Sequence, residues 1–510
     1  MNRRIGVLLS YILMGVEVLS TLLLTPFILR TLGQAEYGVY KLAAAINAYL
    51  LLLDLGVGNA ITRYIAKYRV EKNDIQGRKF LGIAIIYYLI IAIITIVIGS
   101  ILIYIFPTVF SNGLSKDEIA LGRKLLFITM INSAVTLGTA EYEKIIIAYE
   151  KFFVSKGSSI IQIILRMVLT VIALKFGMGS VGIVSVNLLM TLFCRAFFIY
   201  YTLFKIELKP MFKEIELSFV KEVFLYSSLI LLQMIATQIN NTVDQILIGS
   251  LVASSSIILA IYGVGTQIVQ YFQSIGSAFN GVLMPGLVKM VSEDCSSKRI
   301  TKEMIRISRI IFMVLLMIWS GFFVNGQIFI DLWAGTVNEK AYVVAILLMS
   351  VQLFVLSEAV GTQILWAMNQ HKEQSILKIV IVFCNIGLTM ILIKWDALIG
   401  ATVGTFLSIL LGDVVTMNII FYKKIKINLL NYYKCLFKGI LPSAVVSIIV
   451  GLVIKEFITY GWFALLINVL AMVIVYISCM MLFGLNEYEK SLCFEMIKKI
   501  SKKVYKRNKL

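Results

Sequence analysis

Five ionised side chains, Glu17, Arg166, Arg195, Glu358 and Asp413, lie inside long apolar runs of the sequence. An isolated charge at the centre of a bilayer costs at least about 2.5 to 3.5 kcal/mol, so each needs a counter-charge, water or a ligand. Two readings are open for each of them: ion pairing between helices, or direct contact with a substrate or an ion. The planar fork of an arginine donates two hydrogen bonds to one phosphate, which makes Arg166 and Arg195 candidates for holding an anionic cargo. The acids Glu17, Asp54, Asp244, Glu358 and Asp413 are candidates for coupling to an ion. The one histidine, His371, sits beside Lys372 and Glu373 in a short polar segment, which leaves little room for histidine chemistry.

Uncharged polar residues fall into stripes. Gln233, Thr237, Asn240 and Asp244 recur at i, i+4, i+7 and i+11, with Gln238, Asn241 and Gln245 on the adjoining stripe. Thr266, Gln270, Gln273, Ser277 and Asn280 repeat the pattern further on, and Ser10, Glu17 and Thr21 share a face near the start. Tyr40, Asn47 and Asp54 are spaced by sevens, with Lys41 next to the first of them. Stripes of this kind predict a central hydrophilic cleft; the alternative is polar pairing between buried helices. Glu141, Glu143 and Lys144 form a separate cluster whose spacing predicts a local salt bridge.

The elements that carry these residues follow from composition. The chain has 510 residues, 60% hydrophobic and 15% charged, with a mean hydropathy of +0.92, whereas a soluble domain is about 45 to 50% apolar and about a quarter charged. Apolar runs long enough to cross about 30 Å of hydrocarbon recur throughout. They predict an all-α polytopic membrane protein of about fourteen spans, at roughly 5–29, 38–60, 80–106, 121–147, 157–176, 181–204, 223–247, 257–283, 307–330, 341–368, 375–394, 400–422, 437–458 and 462–484. The first run is too long for a signal peptide and shows no A-x-A-like cleavage site, so it is expected to be retained.

The net charge of +19 does not require nucleic acid. With the N-terminus inside, most lysines and arginines fall in the inner loops and in the tail from Lys490 to Lys509, which predicts both termini in the cytoplasm. The basic tail then orients the chain and touches anionic membrane lipid. The six cysteines show no metal-type pairing, no phosphate-binding G-x-x-x-x-G-K-[ST] loop is present, and no cofactor is expected. Outer loops are short, so an external active site, and with it an enzyme, is not expected. A weak repeat, Tyr37-Gly38-Val39-Tyr40 against Tyr262-Gly263-Val264-Gly265, predicts an N-lobe at 1–215 and a C-lobe at 216–430, of six helices each. Two extra helices and a basic tail then occupy 431–510.

Three short stretches carry a resemblance to a known family. Thr25 to Tyr40 resembles the first loop, Leu53 to Ala60 the end of the second helix, and Asn241 to Gly249 the seventh helix of the polysaccharide exporters. These include the O-antigen flippases and belong to the multidrug/oligosaccharidyl-lipid/polysaccharide exporter superfamily. The resemblance implies movement of polyprenyl-diphosphate-linked glycans to the outer leaflet of a bacterial cytoplasmic membrane, with helices one, two, seven and eight lining the cavity. Relatives that flip the peptidoglycan precursor place arginines on those helices; here Arg166 and Arg195 are on spans five and six, a departure from that pattern. Rival expectations are cation-coupled drug efflux, a membrane-embedded glycan polymerase or ligase, and a scaffold binding other glycan assembly proteins.

Overall fold

Inside hydrocarbon there is no water for peptide groups, so a crossing segment closes its hydrogen bonds internally, as a helix. The computed structural model describes residues 2–54, 56–212, 217–293, 296–368, 370, 372–457 and 460–491. Side chains are described for these except at 2–5, 7, 59, 217–233, 279–293 and 372. Among the described residues there is no strand. The first helices are α1 (Asn2–Leu51), α2 (Val57–Val70), α3 (Asp74–Phe110), α4 (Lys116–Gly138), α5 (Ala140–Ala148) and α6 (Phe152–Lys175). Next come α7 (Gly179–Tyr200), α8 (Leu217–Leu251), α9 (Ser255–Glu293), α10 (Ser297–Ala334), α11 (Ala341–Ala367) and α12 (Lys372–Leu392). The last are α13 (Ala397–Ile409), α14 (Met417–Ile420), α15 (Leu429–Phe437), α16 (Ile440–Phe457) and α17 (Trp462–Cys479).

Twelve helical runs among the described residues are long and apolar enough to cross a membrane. The first, Leu8–Asp54, has 47 residues, about 70 Å at 1.5 Å per residue and so too long for one crossing. Gly33, at φ 75° and ψ 173°, divides it into two. With that division, and with the 35-residue α8, the crossings number the fourteen expected. Large side chains such as Leu23, Ile93, Tyr104, Phe193 and Trp395 point outward, as they do when lipid is the solvent. The protein is a multi-pass membrane protein.

Two of the expected spans are interrupted, and several helices run past their expected ends, α9 to Glu293 and α10 from Ser297. The second span breaks early, at a 3-10 turn Leu52–Asp54 followed by left-handed Gly56, and α2 then carries on to Val70. The fourth span is two helices, because Thr139 (φ −134°, ψ 16°) separates α4 from α5. Conversely, Pro26 and Pro107 lie within α1 and α3 without ending them.

The contacts divide the chain into two units, Met1–Thr266 with Gln374–Gly412, and Gln267–Glu373 with Asp413–Leu510. In the first, α3 packs on α4, and α1 packs on α4 and α6. Its buried cluster at one end joins Val57, Ile61 and Ile65 of α2 to Phe80, Leu81 and Tyr88 of α3 and Ile145 of α5. Glu36 accepts a hydrogen bond from the Ser180 backbone N–H at 2.6 Å, placing a carboxylate at the positive end of α7. In the second unit, α10 packs against α11, α16 and α17.

Lipid tails are as apolar as leucine, so helices here associate through close packing, which small residues permit. Gly38 is one such point: a Cβ there would overlap the backbone carbonyl of Ser256. Gly38→Ala is expected to cost about 1–3 kcal/mol through overpacking, seen as a lower thermal midpoint of the purified chain. Gly15→Ala, where nothing lies within 4 Å, should leave the midpoint unchanged; equal behaviour of the two variants would remove the packing argument.

Candidate functional site

The most connected polar cluster of the first unit is centred on Asp244. Residues 240 and 244 are one turn apart on α8, and 385 and 389 are one turn apart on α12, so each helix offers a pair of groups to its neighbours. Asp244 is 1% exposed and accepts hydrogen bonds from the hydroxyls of Tyr262 on α9 and Thr405 on α13. A third, from Thr389, measures 3.2 Å. Asn385 donates its amide N–H to Asn240 at 2.6 Å, and its oxygen lies 3.1 Å from both threonine hydroxyls. Four helices thus meet in one buried network without a lysine or arginine among its members.

A hydroxyl has one proton to give. Thr389 and Thr405 each have two acceptors in reach, Asp244 and Asn385, so the network admits more than one arrangement of its protons. Asp244 adds one negative charge inside a ring of oxygens, an arrangement that suits a proton or a hard cation, whose ligands are oxygens. No group of three or more metal-ligating side chains occurs among the described residues.

The other expected site residues of this unit are spread more widely. Asp54 accepts from the Tyr88 hydroxyl at 2.7 Å, and Asn47 accepts from Ser133 at 2.9 Å. Lys41 is half-buried, its ammonium 5.4 Å from the centre of the Tyr37 ring. Arg166 is half-buried and within electrostatic reach of Tyr40. Glu17 is exposed. Arg195 is engaged by Glu143 at 3.1 Å, a pairing between helices, while the local salt bridge expected from the three-residue spacing of Glu141 and Lys144 does not form. Glu141, beside the Thr139 break, is fully buried, and neither carboxyl oxygen has a hydrogen-bond partner.

In the second unit Glu358 is 2% exposed and accepts from Tyr433 at 2.6 Å and Asn418 at 2.8 Å. Gln270 accepts from Gln267 at 3.3 Å, Gln273 is half-buried, and Asp413 is half-buried in a π-helical segment, Leu410–Thr416. The side chains of Gln233 and Asn280 lie outside the described residues. Sequence spacing missed Asn385, Thr389 and Thr405; the only signal was two polar residues one turn apart in the apolar α12.

The model of the Polysaccharide biosynthesis protein family matches residues 6–291, more than half of the chain. Among solved structures, that of the lipid II flippase MurJ in an inward closed conformation is similar, with a TM-score of 0.71 and 16% identity, over 93% of this chain and 97% of that one. An inward-facing multidrug resistance transporter of the MATE family, in the MOP superfamily, gives a TM-score of 0.59 and 14% identity over 79% and 96%. The MATE multidrug transporter DinF-BH in complex with R6G gives 0.56 and 17% over 82% and 95%. At these identities the likeness is one of fold. No curated protein matches the chain in sequence.

Proposed function

The chain belongs to the Polysaccharide biosynthesis protein family, and we propose that it is a flippase for a polyprenyl-diphosphate-linked oligosaccharide. It carries this lipid from the cytoplasmic to the outer leaflet of a bacterial cytoplasmic membrane, with both termini inside. The observation that carries the proposal is the fold shared with a lipid II flippase over 93% of the chain, joined to a family described by polysaccharide biosynthesis. The physical need is plain: an unpaired hydroxyl costs about 4–8 kcal/mol on entering an alkane-like phase, and an oligosaccharide has many. Two six-helix lobes rock about a central cleft while the lipid tail stays in the bilayer, alternately opening the cleft to each side. Arg166 and Lys41 face the diphosphate, the first through its fork and the second as a point charge. Exit of that anion is favoured by an inside-negative potential, by about 2.3 kcal/mol per charge per 100 mV.

Asp244 is the coupling residue in this scheme. A proton or a monovalent cation entering its oxygen ring neutralises the buried charge, and its departure restores it, which gives the two lobe arrangements different ion affinities. The same ring would serve cation-coupled drug efflux, and the likeness to MATE transporters makes that the second reading.

Deleting the gene and assaying polyprenyl-linked glycans leaflet by leaflet decides between them. A complete lipid-linked oligosaccharide accumulating on the cytoplasmic face is the expected result. Normal leaflet distribution together with new drug sensitivity would replace flipping with efflux, and complete units stranded unpolymerised on the outer face would make the protein a polymerase or ligase.

A further inference from the structure

At one end of the second unit, the start of α10 and the segment running into α15 flank an open surface hollow of about 510 Å³. Its wall carries three lysines: Lys298 and Lys302, one turn apart on α10, and Lys426 from the segment before α15. None of the three is paired with a carboxylate among the described residues, whereas the neighbouring acids are occupied, Glu303 by Arg306 at 3.1 Å and Glu373 by Lys424 at 2.6 Å. Ser297, Thr301, Asn428 and Asn431 add hydroxyl and amide groups, and Ile305 and Cys435 complete the wall. Three unneutralised ammonium groups around a polar hollow repel one another until an anion enters.

The backbone adds a second observation. Lys426 has φ 57° and ψ 41°, the left-handed conformation that a helix end normally gives to glycine. A side chain with a Cβ is disfavoured there, yet a lysine occupies the position and its chain lines the hollow. Ser297 holds that turn in place: its hydroxyl lies 2.6 Å from the Lys426 carbonyl and 3.1 Å from the Ile425 carbonyl, and donates its one proton to either.

Two exposed apolar side chains stand close in sequence to the lining residues. Leu430, between the lining residues Asn428 and Asn431, is 83% exposed, and Tyr422 is 62% exposed. An exposed leucine and tyrosine beside a lysine-lined hollow match the depth at which headgroup gives way to acyl chain. A freely diffusing phosphate has no use for that apolar margin.

We propose that the hollow between α10 and α15 is a binding site for the phosphate headgroup of an anionic membrane lipid, whose acyl chains run past Leu430 and Tyr422. The site belongs to the leaflet that the lysine and arginine distribution places on the cytoplasmic side, where anionic lipid attracts basic segments. It does not depend on the cargo, so a failure of the flippase assay leaves it standing.

The test uses the purified full chain in neutral detergent, titrated with dioleoyl-phosphatidylglycerol, with dioleoyl-phosphatidylcholine and with inorganic phosphate, bound lipid being read by native mass spectrometry. The parent chain should retain phosphatidylglycerol over phosphatidylcholine, and millimolar phosphate should not displace it. Each lysine near an anionic headgroup is worth about fivefold in affinity, so Lys298→Gln, Lys302→Gln and Lys426→Gln together should weaken phosphatidylglycerol binding about a hundredfold. Lys426→Gly covers the case in which that triple variant does not fold: glycine relieves the left-handed position, so the thermal midpoint should hold or rise while phosphatidylglycerol affinity falls about fivefold. Unchanged affinity in Lys426→Gly, or full displacement of the lipid by phosphate, would overturn the assignment.

Discussion

Replacing Asp244 with asparagine is expected to lower cargo translocation about 5- to 150-fold, the span of a coupling free energy of about 1–3 kcal/mol, while the chain still folds and inserts. The two side chains have nearly the same shape. The amide oxygen can still accept from two of the three hydroxyls that now reach the carboxylate, those of Tyr262, Thr389 and Thr405. What asparagine cannot do is change charge, and a coupling residue must do so in every cycle. Alanine would be the wrong probe, because it strands the hydroxyls inside the unit at about 1–3 kcal/mol for each group left unsatisfied. Complementation of the deletion strain, with outer-leaflet glycan normalised to protein abundance, gives the answer. Parental export by Asp244→Asn at parental abundance would remove Asp244 from the coupling scheme.

The largest expected effect on stability falls at Arg309, far along the chain from that network. Its guanidinium holds Glu489 through two bonds of 2.7 and 3.1 Å. It also donates to the carbonyls of Lys438 at 3.1 Å, Gly484 at 3.0 Å, and Cys435. One side chain on α10 therefore ties down the junction of α15 with α16 and the end of the π-helical segment Met480–Gly484. Asn486 and Glu489 add a reciprocal pair in which each backbone N–H donates to the other's side chain, at 2.9 and 2.8 Å, which helps to orient the carboxylate. Removing one partner of a buried pair leaves the other charged and unpaired, at about 3–5 kcal/mol. Arg309→Met should accordingly give a marked drop in the thermal midpoint and in membrane yield. Arg309→Lys keeps the charge but loses the fork, and should fall between. Arg309→Met combined with Glu489→Leu should be less damaging than Arg309→Met alone, since no stranded carboxylate remains. A midpoint for Arg309→Met equal to that of the parent chain would show that the pair contributes nothing.

The contrast between Asp244 and Arg309 shows where sequence is informative. Crossing helices announce themselves by apolar length, because a bilayer accepts few alternatives, and the fourteen expected spans correspond to helices in the structure. Asp244 was also legible, since it closes a run of polar residues at helical spacing on α8. Its partners were not. Thr389 and Thr405 are among several small polar residues in largely apolar helices, and a threonine whose hydroxyl bonds its own backbone, as Thr402 does on α13, looks the same in sequence as one that reaches a neighbour. Arg309 and Glu489 are 180 positions apart, beyond any periodicity. Arg195 illustrates the middle case: its charge demanded a partner, but only packing could reveal that Glu143 supplies one. The Thr139 break left almost no trace, with Gly138 as its only marker, while Pro26 and Pro107 would have suggested breaks where none exist.

The glycine at position 33 bears on how the topology of this chain can be measured. A φ of 75° with a ψ of 173° falls in a region that essentially only glycine enters, and that one residue carries the first crossing directly into the second. No connecting loop exists there for a protease to cut, for an antibody to recognise or for a reporter to be spliced into without unwinding helix on both sides. Silence from a tag placed at Gly33 would therefore say nothing about which compartment it faces. In the turn after Phe110, residues 111–115 separate α3 from α4; Gly113 is buried there and accepts from Ser255, but Ser111 and Asn112 are exposed, and sidedness of the amino-terminal half is better sought at those two positions.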